Sequence, residues 1–349
     1  MCGARVAGGH PGSASRGARG RLSAVDEIVT PVAREFRCSR EAVAEHLAGT
    51  APTDHAHLLV EYRRGWGRDA LAESTWPEEV RHELATRAKA AGVRVQLIRR
   101  HEQAHQVPVR PAEAEAGRFV AFAAWARGGF PAPAPNPSTA SAEPSAWVER
   151  TTLTDPADLL DLSLADLAAG RSLGWSPHHE PLLLVCTNGK RDVCCAEQGR
   201  PIARALSEAH PDRAWETTHV GGHRFAGAML VLPGALSYGR LDVDSALRVA
   251  AASERHEVVV EHLRGRGTYP PAVQYAEAVV RRELGENRAQ ALLLSTIETD
   301  GATSKVTFQR AGSEITVQVR ELPGPAVRAS CRDAVAKPTT TFEVVHGPR

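Results

Sequence analysis

Three of the chain's six cysteines fall within ten residues, Cys186, Cys194 and Cys195 of "CTNGKRDVCC", and "HVGGH" follows with His219 and His223 four apart. Thiolate and imidazole are the donors of zinc and iron–sulfur centres. A lone Cys or His is usually a satisfied core residue; the joint pattern points to a metal site instead. Cys186 closes the apolar run "PLLLVC", where a rigid strand ends and the loop beyond it can wrap. Asn188-Gly189 is a turn pair that tolerates positive φ and lets the chain double back. Arg191, before Asp192, would bring a cation near the thiolates, lowering their pKa values and offsetting the charge of a centre built on them. Cys194 and Cys195 are neighbours, so in an extended or irregular loop their side chains point to different sides. One ligates and the other packs, and spacing alone does not say which.

His219 and His223 would share one face of a helix, but Gly221 and Gly222 lie between them, and each glycine costs a helix about 1 kcal/mol relative to Ala. A loop is expected, its glycines at positive φ so that both rings turn toward one point. Small residues also leave space, which a cluster fills better than a single ion. Other candidates read as structural: His55 and His57 as an alternating strand, His178-His179 as loop, "RGRG" (264–267) as a solvated turn, and Cys2, Cys38 and Cys331 as scattered single cysteines.

These groups need elements to hold them. Strands are expected at 55–62, 93–100 (alternating, half-buried) and 117–125, with a helix over 77–92 that Pro77 starts and Gly92 ends. A Pro, Ala and Ser rich stretch, 128–147, reads as a linker. The second half repeats the order: a helix over 155–170, the strand "EPLLLVC", a loop "TNGKRDVCCAEQG", a helix "RPIARALSEAH", then the strands "AWETTHV" and "RFAGAMLVLP". Leu-Leu-Val followed by Arg-Asp recurs, as Leu58-Leu59-Val60 with Arg68-Asp69 and as Leu183-Leu184-Val185 with Arg191-Asp192. The expected fold is therefore α/β: two β-α-β-β units related by internal duplication, a plan compatible with thioredoxin-like folds, and a C-terminal α+β extension. The expected divisions are a disordered tail at 1–24, a degenerate first unit at 25–127, the linker at 128–147, the Cys/His unit at 148–250 and the extension at 251–349. The extension carries helices, then strands with a hairpin turn at Ala311-Gly312, and no convergent chemistry.

Composition excludes several classes. At 349 residues the chain can hold two or three domains, and its net charge of +1 gives no electrostatic case for a nucleic-acid or acidic-membrane partner. Six cysteines over this length are no disulfide framework. No segment approaches the roughly 18 apolar residues that span a bilayer, and the N-terminus lacks the apolar core of a secretory signal. A soluble cytoplasmic protein is expected.

"CTNGKRDVCC", "HVGGHRFAGAMLVLPGALSYGRL" and "GTAPTDHAHLLVEYRRGWGRDAL" closely resemble the sucrase/ferredoxin-like family, whose members carry a thioredoxin-like ferredoxin domain. The resemblance runs from about residue 37 to about residue 285. It implies a [2Fe-2S] cluster held by Cys186, Cys195, His219 and His223, with Cys194 left as a non-ligand. Cys194, Gly189, Arg191, Asp192, Gly221, Gly222 and Arg224 are then neighbours of the cluster. Asn188 stands where the family often has His, which bears on hydrogen bonding around the ligands and not on the ligands themselves. Nothing in the sequence supports sugar cleavage.

Replacing two thiolates by neutral imidazoles makes a cluster less negative and easier to reduce; in Rieske centres it raises the potential to about −150 to +300 mV, against about −400 mV for plant-type ferredoxins. The expected role is electron transfer or redox sensing with an unidentified redox protein or small molecule, rather than enzymatic catalysis. Two other classes compete. A zinc-stabilised binding module would use the same ligands, although structural zinc sites space their first Cys pair by two to four residues, not eight. A thiol–disulfide oxidoreductase would use Cys194 or Cys195, but Cys-x-x-Cys at a helix start is missing.

Overall fold

The five residues Leu182–Cys186 are all buried, as an apolar run inside a sheet requires. The structure, a computed structural model, describes residues 35–101, 117–126 and 146–348. The expected tail and all but the last two residues of the expected linker lie outside the described residues. Phe36–Arg349 form one compact unit.

In chain order the elements are α1 (Cys38–Glu41), a 3-10 turn (Ala42–Ala44), β1 (Ala56–Glu61), α2 (Glu78–Ala91), β2 (Val93–Arg99), β3 (Phe119–Trp125) and β4 (Trp147–Leu153). There follow a 3-10 turn (Pro156–Leu160), α3 (Leu164–Ala168), β5 (Ser176–Pro177), β6 (Leu182–Cys186), α4 (Val193–Ala209), β7 (Ala214–Thr217), β8 (Met229–Leu232) and β9 (Leu236–Tyr238). The last are α5 (Val243–Glu254), β10 (Leu263–Arg266), α6 (Pro271–Leu284), β11 (Leu293–Asp300), β12 (Thr303–Arg310), β13 (Ser313–Val327) and β14 (Lys337–His346).

Ten strands make one mixed sheet in the order β10-β9-β8-β6-β7-β2-β1-β3-β4-β5. β1 runs parallel to β2 and antiparallel to β3, which pairs antiparallel with β4. β6 runs parallel to β7 and antiparallel to β8, which pairs antiparallel with β9. These two sets meet where β2 pairs antiparallel with β7 through Ile98↔Thr217 and Arg99↔Glu216. Buried Glu216 reinforces this seam, accepting from Arg99 Nε at 2.9 Å and Thr187 Oγ1 at 2.9 Å, with His101 Nδ1 at 2.8 Å. Alternate residues of β6 serve two cores: Leu183 and Val185 pack with α4 and α5, whereas Leu182, Leu184 and Cys186 join Leu59, Phe122 and Trp215 from both sides of the seam.

A separate four-stranded sheet, β11-β12-β13-β14, is covered by α6: Val273, Ala276, Val279 and Val280 pack against Val306, Phe308, Val317 and Val319. The tight turn between β12 and β13 is Ala311-Gly312, both at positive φ (49° and 84°). Helix α2 begins after Pro77 and closes on Gly92 at φ 71°. No helix among the described residues is long and apolar enough to cross a membrane.

Four expectations are corrected. The helix over 155–170 is two short pieces, because Asp155 and Ser163 each cap a new start with their side chains. β2 does not alternate: residues 96–99 are all buried, since a central strand is covered on both faces. β4 begins at Trp147, so the last linker residue is already strand. Most consequentially, "TNGKRDVCCAEQG" is not all loop. Asp192 caps α4, which starts at Val193 and runs through Pro201; a proline inside a helix removes one internal hydrogen bond.

Candidate metal centre

β6 delivers Cys186 to the end of a buried strand, where its N–H donates to Ala228 O at 3.0 Å. The chain then turns on Asn188, whose Oδ1 accepts from Arg191 N (3.2 Å) and whose Nδ2 donates to Gly67 O (3.1 Å). That last bond ties the cysteine loop to the loop after β1. Gly189 is not at positive φ as the turn reading expected; it is small because a Cβ there would lie 2.8 Å from Ala196 Cβ. Asp192 then accepts from Cys194 N at 3.0 Å, which places Cys194 and Cys195 in the first turn of α4. One step along a helix turns a side chain by about 100°. Cys195 accordingly meets His223, its Sγ 3.5 Å from Nδ1, while Cys194 meets Cys38 and Cys331. Gly199, one turn further on, lets α4 lie directly on the strand end: a Cβ there would be 2.2 Å from Cys186 O.

The His-Gly-Gly-His segment follows β7. Gly221 and Gly222 have φ of 86° and 74°, as the loop reading requires, and a 3-10 turn (His223–Phe225) begins after them. A Cβ on Gly221 would lie 2.6 Å from Pro52 Cγ, and one on Gly222 2.7 Å from Arg264 Nη2. The loop is anchored by two arginines: Arg94 Nη2 donates to His219 O at 2.7 Å, and Arg264 Nη1 to Gly221 O at 2.8 Å. Arg264 belongs to "RGRG", and the solvated-turn reading is wrong for it. β10 brings the side chain inside, 2 % exposed, where it also bonds Thr50 Oγ1 (3.1 Å) and the Thr50 carbonyl and faces the Phe225 ring at 5.0 Å. Such oxygen acceptors and an aromatic face are what a buried guanidinium needs. Arg224 pairs with Glu45 at 2.9 Å, and the charge of Arg191 is felt at His223.

Donor atoms of Cys186, Cys195 and His219 all lie within 4.8 Å of one another. The rings of His219 and His223 stack, 3.9 Å between centroids at 22°. Nδ1 of His219 is buried with no hydrogen-bond partner among the described residues. The Cys195 thiol beside it holds the Cys186 thiol well below its ordinary pKa against the cost of burial, with His219 and the Val220 N–H adding to the effect. Cys195 is pushed well above by the same contact and by burial. Burial, then the neighbouring His219, lowers His223 to about 4. Cys186 is thus favoured as thiolate and His223 as neutral imidazole, the forms in which these groups bind metal, and Cys195 would release its proton on binding one.

The sucrase/ferredoxin-like family profile matches residues 47–265, more than half of the chain. The chain belongs to the sucrase/ferredoxin-like family. No curated protein and no solved structure matches it.

All four expected ligands of this family member sit together, and Cys194 points elsewhere. Two features escaped the sequence. Arg264 and the half-buried Arg94 position the histidine loop, yet a charged residue in a strand gives no sign of what it will bond. Cys38 and Cys331, read as scattered, converge on Cys194 from 156 and 137 residues away; no local spacing could have brought the three together.

Proposed function

We propose that Cys186, Cys195, His219 and His223 hold a [2Fe-2S] cluster, and that the protein is a one-electron carrier or redox sensor acting with another redox protein or a small-molecule redox partner. The observation that carries this reading is the convergence of two thiols and two imidazoles from the end of β6, the first turn of α4 and the loop after β7. Rieske-type centres use this donor set, with two His in place of two Cys on one iron. The unpartnered Nδ1 of His219 supports it, as does the family's ferredoxin-like description. Bound there, the cluster would supply one-electron chemistry. The chain's part is to present deprotonated sulfur, keep the His223 imidazole neutral and fix the histidine loop through Arg94 and Arg264.

The same reading takes 25–127 and 148–250 as two thioredoxin-like copies and 251–349 as an extension. Supporting it, β2-β1-β3-β4 and β7-β6-β8-β9 have the same order and senses. In that correspondence Glu61 ends β1 where Cys186 ends β6, so the first copy lacks the leading thiol.

One observation favours a second reading. The 3.5 Å from Cys195 Sγ to His223 Nδ1 matches the S···N edge, about 3.5 Å, of a tetrahedral zinc site with its usual bond lengths, whereas a cluster puts the thiolates and imidazoles on different irons, further apart. Anaerobic purification followed by iron and sulfide analysis and EPR of the reduced protein decides. The cluster reading expects a red-brown protein with two irons and two sulfides per chain. A colourless protein with zinc at these residues overturns it.

A further inference from the structure

The cysteine that the first site does not use has partners of its own. Cys194 Sγ lies 3.7 Å from Cys38 Sγ and 3.3 Å from Cys331 Sγ, and Cys331 Sγ is 3.6 Å from Cys38 Sγ. The three sulfurs form a nearly regular triangle, and none is in a disulfide. Asp192 closes the group, its carboxylate oxygens 3.7 and 3.8 Å from Cys38 Sγ. All four donor atoms lie within 4.8 Å of one another.

We infer that Cys38, Cys194 and Cys331, with Asp192 as fourth ligand, form a second, structural metal site for a zinc-class ion. A tetrahedral ion with metal–sulfur bonds of about 2.3 Å spaces its sulfurs by about 3.8 Å, so the observed triangle needs to open by only a few tenths of an ångström. Metal-bound thiolates are held by donors in the surrounding shell, and those donors are present. The Cys38 N–H points at Cys331 Sγ (3.4 Å) and Ser39 Oγ at Cys194 Sγ (3.3 Å). Asp192 is 1 % exposed and oriented by Cys194 N (3.0 Å), Ser330 Oγ (2.8 Å) and Cys331 N (2.8 Å). Three sulfurs select a thiophilic ion, and the added carboxylate favours Zn2+ over Cu(I). Cys38 and Cys194 are fully buried and Cys331 is half-buried, so the ion has an entry through the loop between β13 and β14. Each thiol gives up its proton to the ion, and no electron moves. The ion would fasten three distant segments, α1, the start of α4 and the β13–β14 loop, whatever fills the first site.

The test measures zinc per full-length chain by elemental analysis and native mass spectrometry. Four proteins are compared: wild type, Cys331→Ser, Cys38→Ser and a Cys186→Ser/Cys195→Ser double variant. The wild type and the double variant should each keep one zinc, and Cys38→Ser and Cys331→Ser should each lose most of it, Cys331→Ser with its iron and circular dichroism unchanged. Cys331 is the decisive position because its half-exposed loop tolerates serine without refolding of the core. Zinc that disappears with Cys186 and Cys195 but survives Cys331→Ser would overturn the assignment. So would a zinc-free wild type, or a peptide map showing Cys194 in a disulfide with Cys38 or Cys331.

Discussion

Replacing Gly199 by alanine sets two effects against each other. The residue is helical and not at positive φ, so by propensity alone Gly199→Ala should stabilise α4 by about 1 kcal/mol. Sterics oppose it. The new Cβ would sit 2.2 Å from Cys186 O, where ordinary contact begins at 3.4 Å, so helix and strand end must part by about 1.2 Å, and a backbone carbonyl cannot swing aside. Overpacking of this kind costs about 1–3 kcal/mol, with the upper end expected here, for a net loss of about 2 kcal/mol and a Tm lower by roughly 4 °C. The larger effect falls on the proposed cluster. Cys195 rides on the same helix, one turn before Gly199, and metal–ligand distances tolerate only about 0.2 Å. Gly199→Ala should therefore purify with most of its iron and sulfide missing while its circular dichroism stays near wild type. Gly65→Ala, with open space around its Cβ, is the control and should change neither. A Gly199→Ala protein with full iron, full sulfide and an unchanged Tm would refute the reasoning.

Cys195→Ser should lose the iron and sulfide, whereas Cys194→Ser should keep both and lose zinc; elemental analysis of the two proteins side by side reads this. The midpoint potential should fall as pH rises from 6 to 10, approaching about 59 mV per pH unit once an imidazole N–H is lost with each oxidation, because the deprotonated ligand favours oxidised iron; voltammetry giving a flat line would exclude solvent-reachable imidazole ligands. Glu216→Ala leaves Arg99 without its buried partner across the β2–β7 seam, and chemical denaturation should register a loss of about 3–5 kcal/mol.

Much of the architecture could be read directly. The apolar run into Cys186, the Pro77 and Gly92 ends of α2 and the positive-φ glycines between the histidines all depend on local chemistry, and local chemistry is written in neighbouring residues. The start of α4 is not legible because Asp192, the side chain that caps it, lies in a stretch that reads as loop. Burial is a property of the assembled fold, so Arg264 in "RGRG" carried no mark that set it apart from a surface arginine. Cys38 and Cys331 were unreadable for the same reason: only the packed chain brings α1 and the β13–β14 loop to one helix end.

The single-residue offset between Cys194 and Cys195 makes the length of the preceding loop a form of addressing. One residue deleted or added between Asn188 and Asp192 that turned α4 by a single step, about 100°, would hand one thiol to the other's neighbours and carry the second away from both sets. A substitution in this loop can be absorbed; a frame change of one residue would misdirect both sulfurs at once, and the two centres would fail together.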